Sequence, residues 1–400
     1  MKKVLFCNIP ESNHLIPMMW FMQEFNRYGD TGILATGDQM AEAISNSPVE
    51  FKSVNAYSSL TASPYGDDLD DFYSNLFQYG ESALQEYTEI IEETTPDIIL
   101  TGGMDYPAAV AAESSGKPWF VLSTVPGALE PESGLPFTGR GIAGAGIQTK
   151  VIRYFHRRRL RKYHSLLNGW RINLGLKSLE NTFTTQMLQS TQYLALAVQS
   201  MEPAEPDFSD QVKFIGPVPR ENTSDNSDEP WLNQLSSPVI LIALQDFEAP
   251  DTHILVNRAI DALGNTEVSV IVEAPGSDLP DLLPENFHHR SRLQVPSLLP
   301  SVNLMIHRGN YQEYARSILE GLPSIIVTAG AESRELAVRA ENAGMAVITD
   351  IDGFRTDKIG NMITRLLKEP LYRMMAERLK EKFRGIHSVK DTVRIMKGTN

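Results

Sequence analysis

The side chains here that are best suited to chemistry are a few histidines and arginines. His14 follows the first apolar run of the chain, Val4 to Ile9, and stands at the start of a helical stretch. An imidazole titrating near pH ~6.5 can accept a proton from a hydroxyl at neutral pH and release it again. The alternative for such a histidine is a helix-start residue bonded to nearby backbone. Far downstream, His307, Arg308 and Arg316 bring together groups that hold anions, since a guanidinium binds phosphate through a bidentate fork. Arg316 has an alternative too, pairing with Glu313 or Glu320 on its own helix.

Rigid elements must hold these groups. Val4 to Ile9 reads as a buried strand, a helix is expected from about Pro17 to Tyr28 with Pro17 in its first turn, and Thr31 to Ala35 reads as the next strand. That is one βαβ unit. The pattern recurs with a strand at Ile98 to Leu100, a helix from Tyr106 to Ser115 and a strand at Trp119 to Leu122. Further apolar runs lie at Val239–Leu244, Val268–Val272, Leu304–Ile306, Ile325–Val327 and Ala346–Ile348, separated by helical stretches. Apolar strands alternating with helices imply parallel sheets covered on both faces, an α/β fold.

A length of 400 residues suits two domains. The stretch Asn222 to Asp228 has no apolar residue and reads as an exposed linker. The expected division is 1–220 for a first domain, 221–235 for the linker, 236–385 for a second domain and 386–400 for a closing helix. Two doubly wound Rossmann-like domains would face the carboxyl ends of two parallel sheets across a cleft, where ligands bind in such folds. The 36 basic against 50 acidic residues leave a net charge of −14, which argues against nucleic acid as the main partner. The single cysteine, Cys7, excludes a disulfide framework and a cysteine zinc cage, and suits a reducing cytosol. No apolar run is long enough to span a membrane, so the expected location is the cytoplasm.

Several ordered segments carry a resemblance. Asn13-His14-Leu15-Ile16-Pro17, Tyr106-Pro107-Ala108-Ala109-Val110, Leu167-Asn168-Gly169-Trp170-Arg171 with Leu174-Gly175-Leu176, and Phe214-Ile215-Gly216-Pro217 occur in sequence. They are followed by Trp231-Leu232, by Val302 to Gly309 and by Leu319 to Pro323. Across nearly its whole length the chain thus resembles the UDP-glycosyltransferase superfamily of GT-B architecture, in its bacterial natural-product and macrolide branch. The resemblance implies inverting, metal-independent transfer of a sugar from a UDP- or TDP-type donor to a hydroxyl of a hydrophobic acceptor, such as a polyketide. No cofactor beyond the donor co-substrate is implied. His14 would be the general base, a role worth about 10²- to 10⁴-fold. The acidic partner expected at Thr101 or Gly102 is absent, and Asp105 is the nearby carboxylate that would replace it. The acceptor site is expected at Met18, Tyr65, Phe72, Tyr73, Phe77 and Tyr106, the alternative for such residues being ordinary core.

The donor side departs from the family. Its residues would be His307, Arg308, Gly309, Asn310, Arg316, Gln245, Asp246 and Glu332. Gln294 precedes Val295-Pro296 where an aromatic ring would stack on the base, a platform worth about 1–3 kcal/mol. Asn310-Tyr311-Gln312-Glu313 replaces small residues at a phosphate-facing helix start, where a carboxylate competes with the phosphate. Arg316 stands in place of a ribose-binding glutamate, and arginine accepts no hydrogen bond. Gln245-Asp246 replaces Gly-Ser or Gly-Thr, and Glu332-Ser333 replaces Asp-Gln. A second reading therefore stays open: a homologue that has lost nucleotide-sugar binding and binds a hydrophobic molecule, or performs another His14-dependent reaction on it. Residues 150–164 form a basic amphipathic helix, suited to a solvated face or to weak contact with an anionic membrane or carrier protein. The glycine-rich run 139–146 before it reads as an acceptor-side loop.

Overall fold

Short apolar runs become strands wherever both faces can be covered. In the computed structural model Val4, Leu5, Phe6, Ile99, Leu100 and Val121 of the first series, and Ile240, Leu241, Ile271 and Ile306 of the second, are fully buried. The structure describes residues 1–44, 49–60, 69–129, 147–202, 209–218, 235–244, 249–274, 279–280, 282–291, 301–384, 386 and 388–398. Tyr65, Gln245, Asp246, Gln294, Val295, Pro296, Trp231, the run 139–146 and the linker 222–228 lie outside the described residues.

The chain divides into two compact units, Met1–Val218 with His387–Asn400, and Pro219–Ile386. The first unit runs β1 (Lys3–Cys7), α1 (Ser12–Arg27), β2 (Thr31–Thr36), α2 (Ala41–Ile44), β3 (Glu50–Ser53), α3 (Leu69–Thr94), β4 (Ile98–Gly102), α4 (Tyr106–Ser114), β5 (Trp119–Ser123), α5 (Ile147–Asn173), β6 (Gln192–Ala195) and β7 (Val212–Phe214). Its sheet has the order β3-β2-β1-β4-β5-β6-β7, with every described pair parallel. The strand order reverses between β1 and β4, so the crevice at their carboxyl ends is where such a sheet binds ligands. Residues 8–14 leave β1 and residues 103–105 leave β4 at this point.

The second unit runs β8 (Val239–Ala243), α6 (Ala249–Leu263), β9 (Ser269–Glu273), β10 (Phe287–Arg290), β11 (Val302–His307), α7 (Tyr311–Glu320), β12 (Ser324–Thr328), α8 (Gly330–Asn342), β13 (Ala346–Asp350), α9 (Thr356–Lys368) and α10 (Pro370–Phe383). Its parallel sheet has the order β10-β9-β8-β11-β12-β13, reversing between β8 and β11. Leu255, Val256 and Ala259 of α6 and Ile359, Ile363 and Leu366 of α9 cover one face of it. Both units are Rossmann-like.

The last helix, α11 (Ser388–Lys397), belongs to the first unit. Lys2 Nζ donates to the Lys397 carbonyl, Lys397 Nζ pairs with Asp30, and Arg394 Nε donates to the Tyr28 hydroxyl. Helix α1 begins five residues before its expected start. Pro17 therefore lies inside it, in the second turn, where the one hydrogen bond it forfeits would have gone to the Asn13 carbonyl.

Candidate functional site

In the first unit, β1 delivers Asn8 and then the opening turn of α1, which carries Asn13 and His14. His14 is buried, at 5% exposure. Across the switch point, Asp105 caps α4 by accepting from the Ala108 backbone N–H at 3.2 Å. Its carboxylate also accepts from Tyr57 at 2.6 Å and from Tyr87 at 2.7 Å. Each oxygen is thus taken by one tyrosine hydroxyl. Tyr57, Tyr87 and the Ala108 N–H are the hydrogen-bond donors that this carboxylate meets among the described residues.

Burial pushes the Asp105 carboxyl up to about 6, against the pull of the hydrogen bonds from Tyr57, Tyr87 and Ala108. The same burial, together with the Asp105 charge, raises Tyr57, Tyr87 and Cys7, so these stay protonated donors or inert neighbours. The Asn8 side chain lies over Gly102, where an added Cβ would come within 2.0 Å of Asn8 Oδ1. Position 102, one of the two where the resemblance expects an acid, has no room for any side chain while Asn8 is there. From the sequence Tyr57 and Tyr87 read only as two of the acceptor-side aromatics between residues 57 and 87, and Asn8 carries no signal, because their convergence near Asp105 depends on separate elements meeting in the fold.

In the second unit β11 ends at His307, and Gly309 adopts φ +81 before Asn310 caps α7 by accepting from the Glu313 N–H at 2.8 Å. A Cβ on Gly309 would come within 2.9 Å of Ile326, so this turn needs glycine for both reasons. His307 Nδ1 accepts from the Gly309 N–H at 3.1 Å, leaving the proton on Nε2, which is buried with no partner among the described residues. Burial, with Arg316 adding to it, pushes His307 down to about 3, so it is neutral at any ordinary pH.

Arg316 is 7% exposed and pairs with Glu273 at 2.7 Å and Glu313 at 3.4 Å. The second of these is the intrahelical pairing weighed from the sequence. The first was not foreseen, since Glu273 ends β9 more than forty residues away. Burial alone would lower the Arg316 pKa, but Glu313 and Glu273 raise it and keep the guanidinium charged. Its Nε and Nη2 and the Gln312 Nε2 are buried without partners. Arg308 and Glu332 are buried as well, Glu332 in the first turn of α8. This region therefore combines unused N–H donors with several buried carboxylates. An oxygen-rich ligand would satisfy the donors, while Glu273 and Glu313 weigh against a highly charged one.

The described residues of the expected acceptor lining are buried. Phe72, Tyr73, Phe77 and Tyr106 are all buried, and Tyr73, Phe77 and Tyr106 pack with Tyr163, Trp170 and Phe183 into one aromatic cluster. Ring centroids stand 4.8 Å apart for Tyr106–Phe183 and 5.1 Å for Phe77–Trp170, the spacing of well-packed aromatic pairs. These rings are the core joining α3, α4 and α5. Met18 is buried on α1 at 1% exposure. The basic stretch lies on α5 as expected, with Tyr154 and Phe155 largely exposed. No described helix is long and apolar enough to cross a membrane.

Residues 257–392 match the family model described as erythromycin biosynthesis protein CIII-like, C-terminal domain. The chain is 25% identical over 337 residues to 4'-demethylrebeccamycin synthase of Lentzea aerocolonigenes, covering 80% of this chain and 78% of that protein. It is 20% identical to UDP-glucosyltransferase A1 of Starmerella bombicola, covering 97% and 90% of the two chains. Among solved structures, the glycosyltransferase of kitacinnamycin superposes with a TM-score of 0.75 at 16% identity, covering 99% and 98%. The calicheamicin glycosyltransferase CalG4 gives 0.73 at 15% identity, covering 100% and 98%. At such identities these structures speak to the fold.

Proposed function

From its similarity to GT-B glycosyltransferases, we propose that this chain is a member of the UDP-glycosyltransferase superfamily and transfers a sugar from a nucleotide donor to a hydroxyl of a hydrophobic natural product. The observation that carries the reading is His14, buried in the first turn of α1 at the sheet's switch point. In the reaction His14 takes the proton from the acceptor hydroxyl. The freed oxygen forms a bond to the anomeric carbon, and the bond from that carbon to the phosphate oxygen breaks. The nucleoside diphosphate leaves with the electron pair, and the carbon inverts. On this reading no metal takes part, His307, Gln312 and Arg316 donate hydrogen bonds to the donor's oxygens, and the protein works in the cytoplasm. Asp105 supports the site indirectly, by fixing the start of α4.

Glu273 and Glu313, already engaged with Arg316, favour a second reading in which no nucleotide sugar binds and His14 acts on a hydrophobic ligand alone. Calorimetric titration of the protein with UDP, TDP and UDP-glucose separates the two. Micromolar binding of any one supports transfer, and His14→Ala should then keep the binding while losing about 10²-fold or more in turnover. Absence of binding at millimolar concentration rejects the first reading.

A further inference from the structure

We propose that a cavity beside α5, in the first unit, is a separate binding site for a phosphate-bearing small molecule with a flat or apolar portion. The cavity has a volume of about 630 Å³, within the range of small-molecule sites. One wall is a stripe on α5 formed by Tyr154, Arg158, Arg161 and His164, residues spaced to share a helix face. The opposite wall runs from Glu180 to Phe183. Leu160 and Phe183, both buried, supply an apolar floor, and the Tyr154 ring is 60% exposed at the edge.

Charge accounting singles out this face. Helix α5 contains no Asp or Glu, in a chain whose net charge is −14. Among its described basic residues away from the cavity, Arg159 and Lys162 pair with Asp70 and Arg171 pairs with Glu113, while Arg157 also lines the cavity. Arg158 and Arg161, which face the cavity, have no ion pair among the described residues. Glu180 offsets part of their charge and leaves the wall cationic.

His164 adds a directed donor. Asn168 Oδ1 accepts from the Leu179 N–H at 2.8 Å, which fixes the amide so that its nitrogen donates to His164 Nε2 at 3.1 Å. The imidazole proton therefore sits on Nδ1, which is buried and has no partner. An unsatisfied buried donor costs about 1–3 kcal/mol, and rotation of the His164 ring, which lines the cavity, would let a phosphate oxygen accept from it and remove that cost. Two guanidinium groups, one N–H donor and an exposed ring suit a phosphate joined to a planar group, and the concavity suits a small molecule over a flat protein surface.

The test uses the full chain and phenyl phosphate as the probe, with inorganic phosphate and a poly-glutamate peptide beside it. Phenyl phosphate should bind more tightly than inorganic phosphate and weaken with salt. The His164 titration, followed by proton NMR, should move to higher pH on binding, because an anion at Nδ1 favours the imidazolium. The double variant Arg158→Ala/Arg161→Ala alters two exposed positions and leaves the core intact. It should bind phenyl phosphate about tenfold or more weakly, as expected from losing two charge-assisted contacts. Equal binding by the double variant, or none by the wild type at millimolar probe, would overturn the proposal. Binding of poly-glutamate with none of phenyl phosphate would overturn it in favour of a protein partner.

Discussion

Replacing Asp105 by Asn isolates the energetic consequence of burying a carboxyl at the switch point of the first sheet. The group's pKa is raised from 3.8 to about 6 on folding, so the folded state holds a proton that the unfolded chain has released between those values. Folding is favoured by this group below pH ~4, and the advantage is lost as pH rises through about 6. A shift of roughly 2 units at 1.36 kcal/mol each makes the full swing about 3 kcal/mol. Asparagine caps helices as well as aspartate does and can still accept from the Ala108 N–H, while its amide nitrogen cannot accept from the second tyrosine hydroxyl, a further cost that does not vary with pH. The assay is urea unfolding of wild type and Asp105→Asn from pH 4 to 7, followed by tryptophan fluorescence. Trp20, Trp119 and Trp170 are all buried in the first unit and report on it. The stability of wild type minus that of the variant should fall by about 3 kcal/mol across this range. A difference that stays flat, or rises with pH, would refute the argument that desolvation dominates at Asp105.

His307 should show the opposite sign. Its pKa falls to about 3 on folding, so the second unit loses stability as pH drops below about 6.5, by roughly 2 kcal/mol between pH 7 and 5. His307→Gln should abolish that acid-side loss, as read by denaturant unfolding of the two proteins at both pH values. Gly102→Ala should cost about 1–3 kcal/mol, since the new methyl would meet the fully buried Asn8 amide, and thermal unfolding measures it. Ending the chain at residue 386 removes Val393 and Met396, both buried, and the Lys397–Asp30 pair. The first unit should lose about 3 kcal/mol or more, seen as a lower urea midpoint of the tryptophan signal.

The sheets were legible because their strands are nearly all apolar: Val4–Phe6, Ile98–Leu100, Val239–Leu244 and Ile325–Val327 can be little else in an alternating chain. Strand β3, with the sequence Glu-Phe-Lys-Ser, and β10, Phe-His-His-Arg, were missed because edge strands are half exposed and carry charge. The early start of α1 was hidden by Pro17, whose rule places it in the first turn and says nothing of a helix that absorbs one lost bond. His14, Asp105, His307 and Arg316 are visible as chemistry in the sequence, and of their partners only Glu313, on the same helix as Arg316, is visible with them. Tyr57 and Tyr87 reach Asp105, and Glu273 reaches Arg316, only through tertiary structure. For the aromatic residues of α3 the sequence leaves core and ligand surface both open, and their packing against Trp170 and Phe183, about a hundred residues downstream, comes only from tertiary structure.

The helix α11 gives the order of synthesis a meaning. The first unit spans Met1–Val218 but is closed by residues made after the whole second unit. On a ribosome adding about 5–20 residues per second, the intervening stretch Pro219–Ile386 takes roughly 10–30 s to emerge. Throughout that interval the face of α1 that meets α11, and the Asp30 carboxylate in the turn that follows α1, lack the cover that α11 later supplies. The second unit can fold as soon as it is released, whereas the first, although it emerges earlier, is completed only after α11 returns to it.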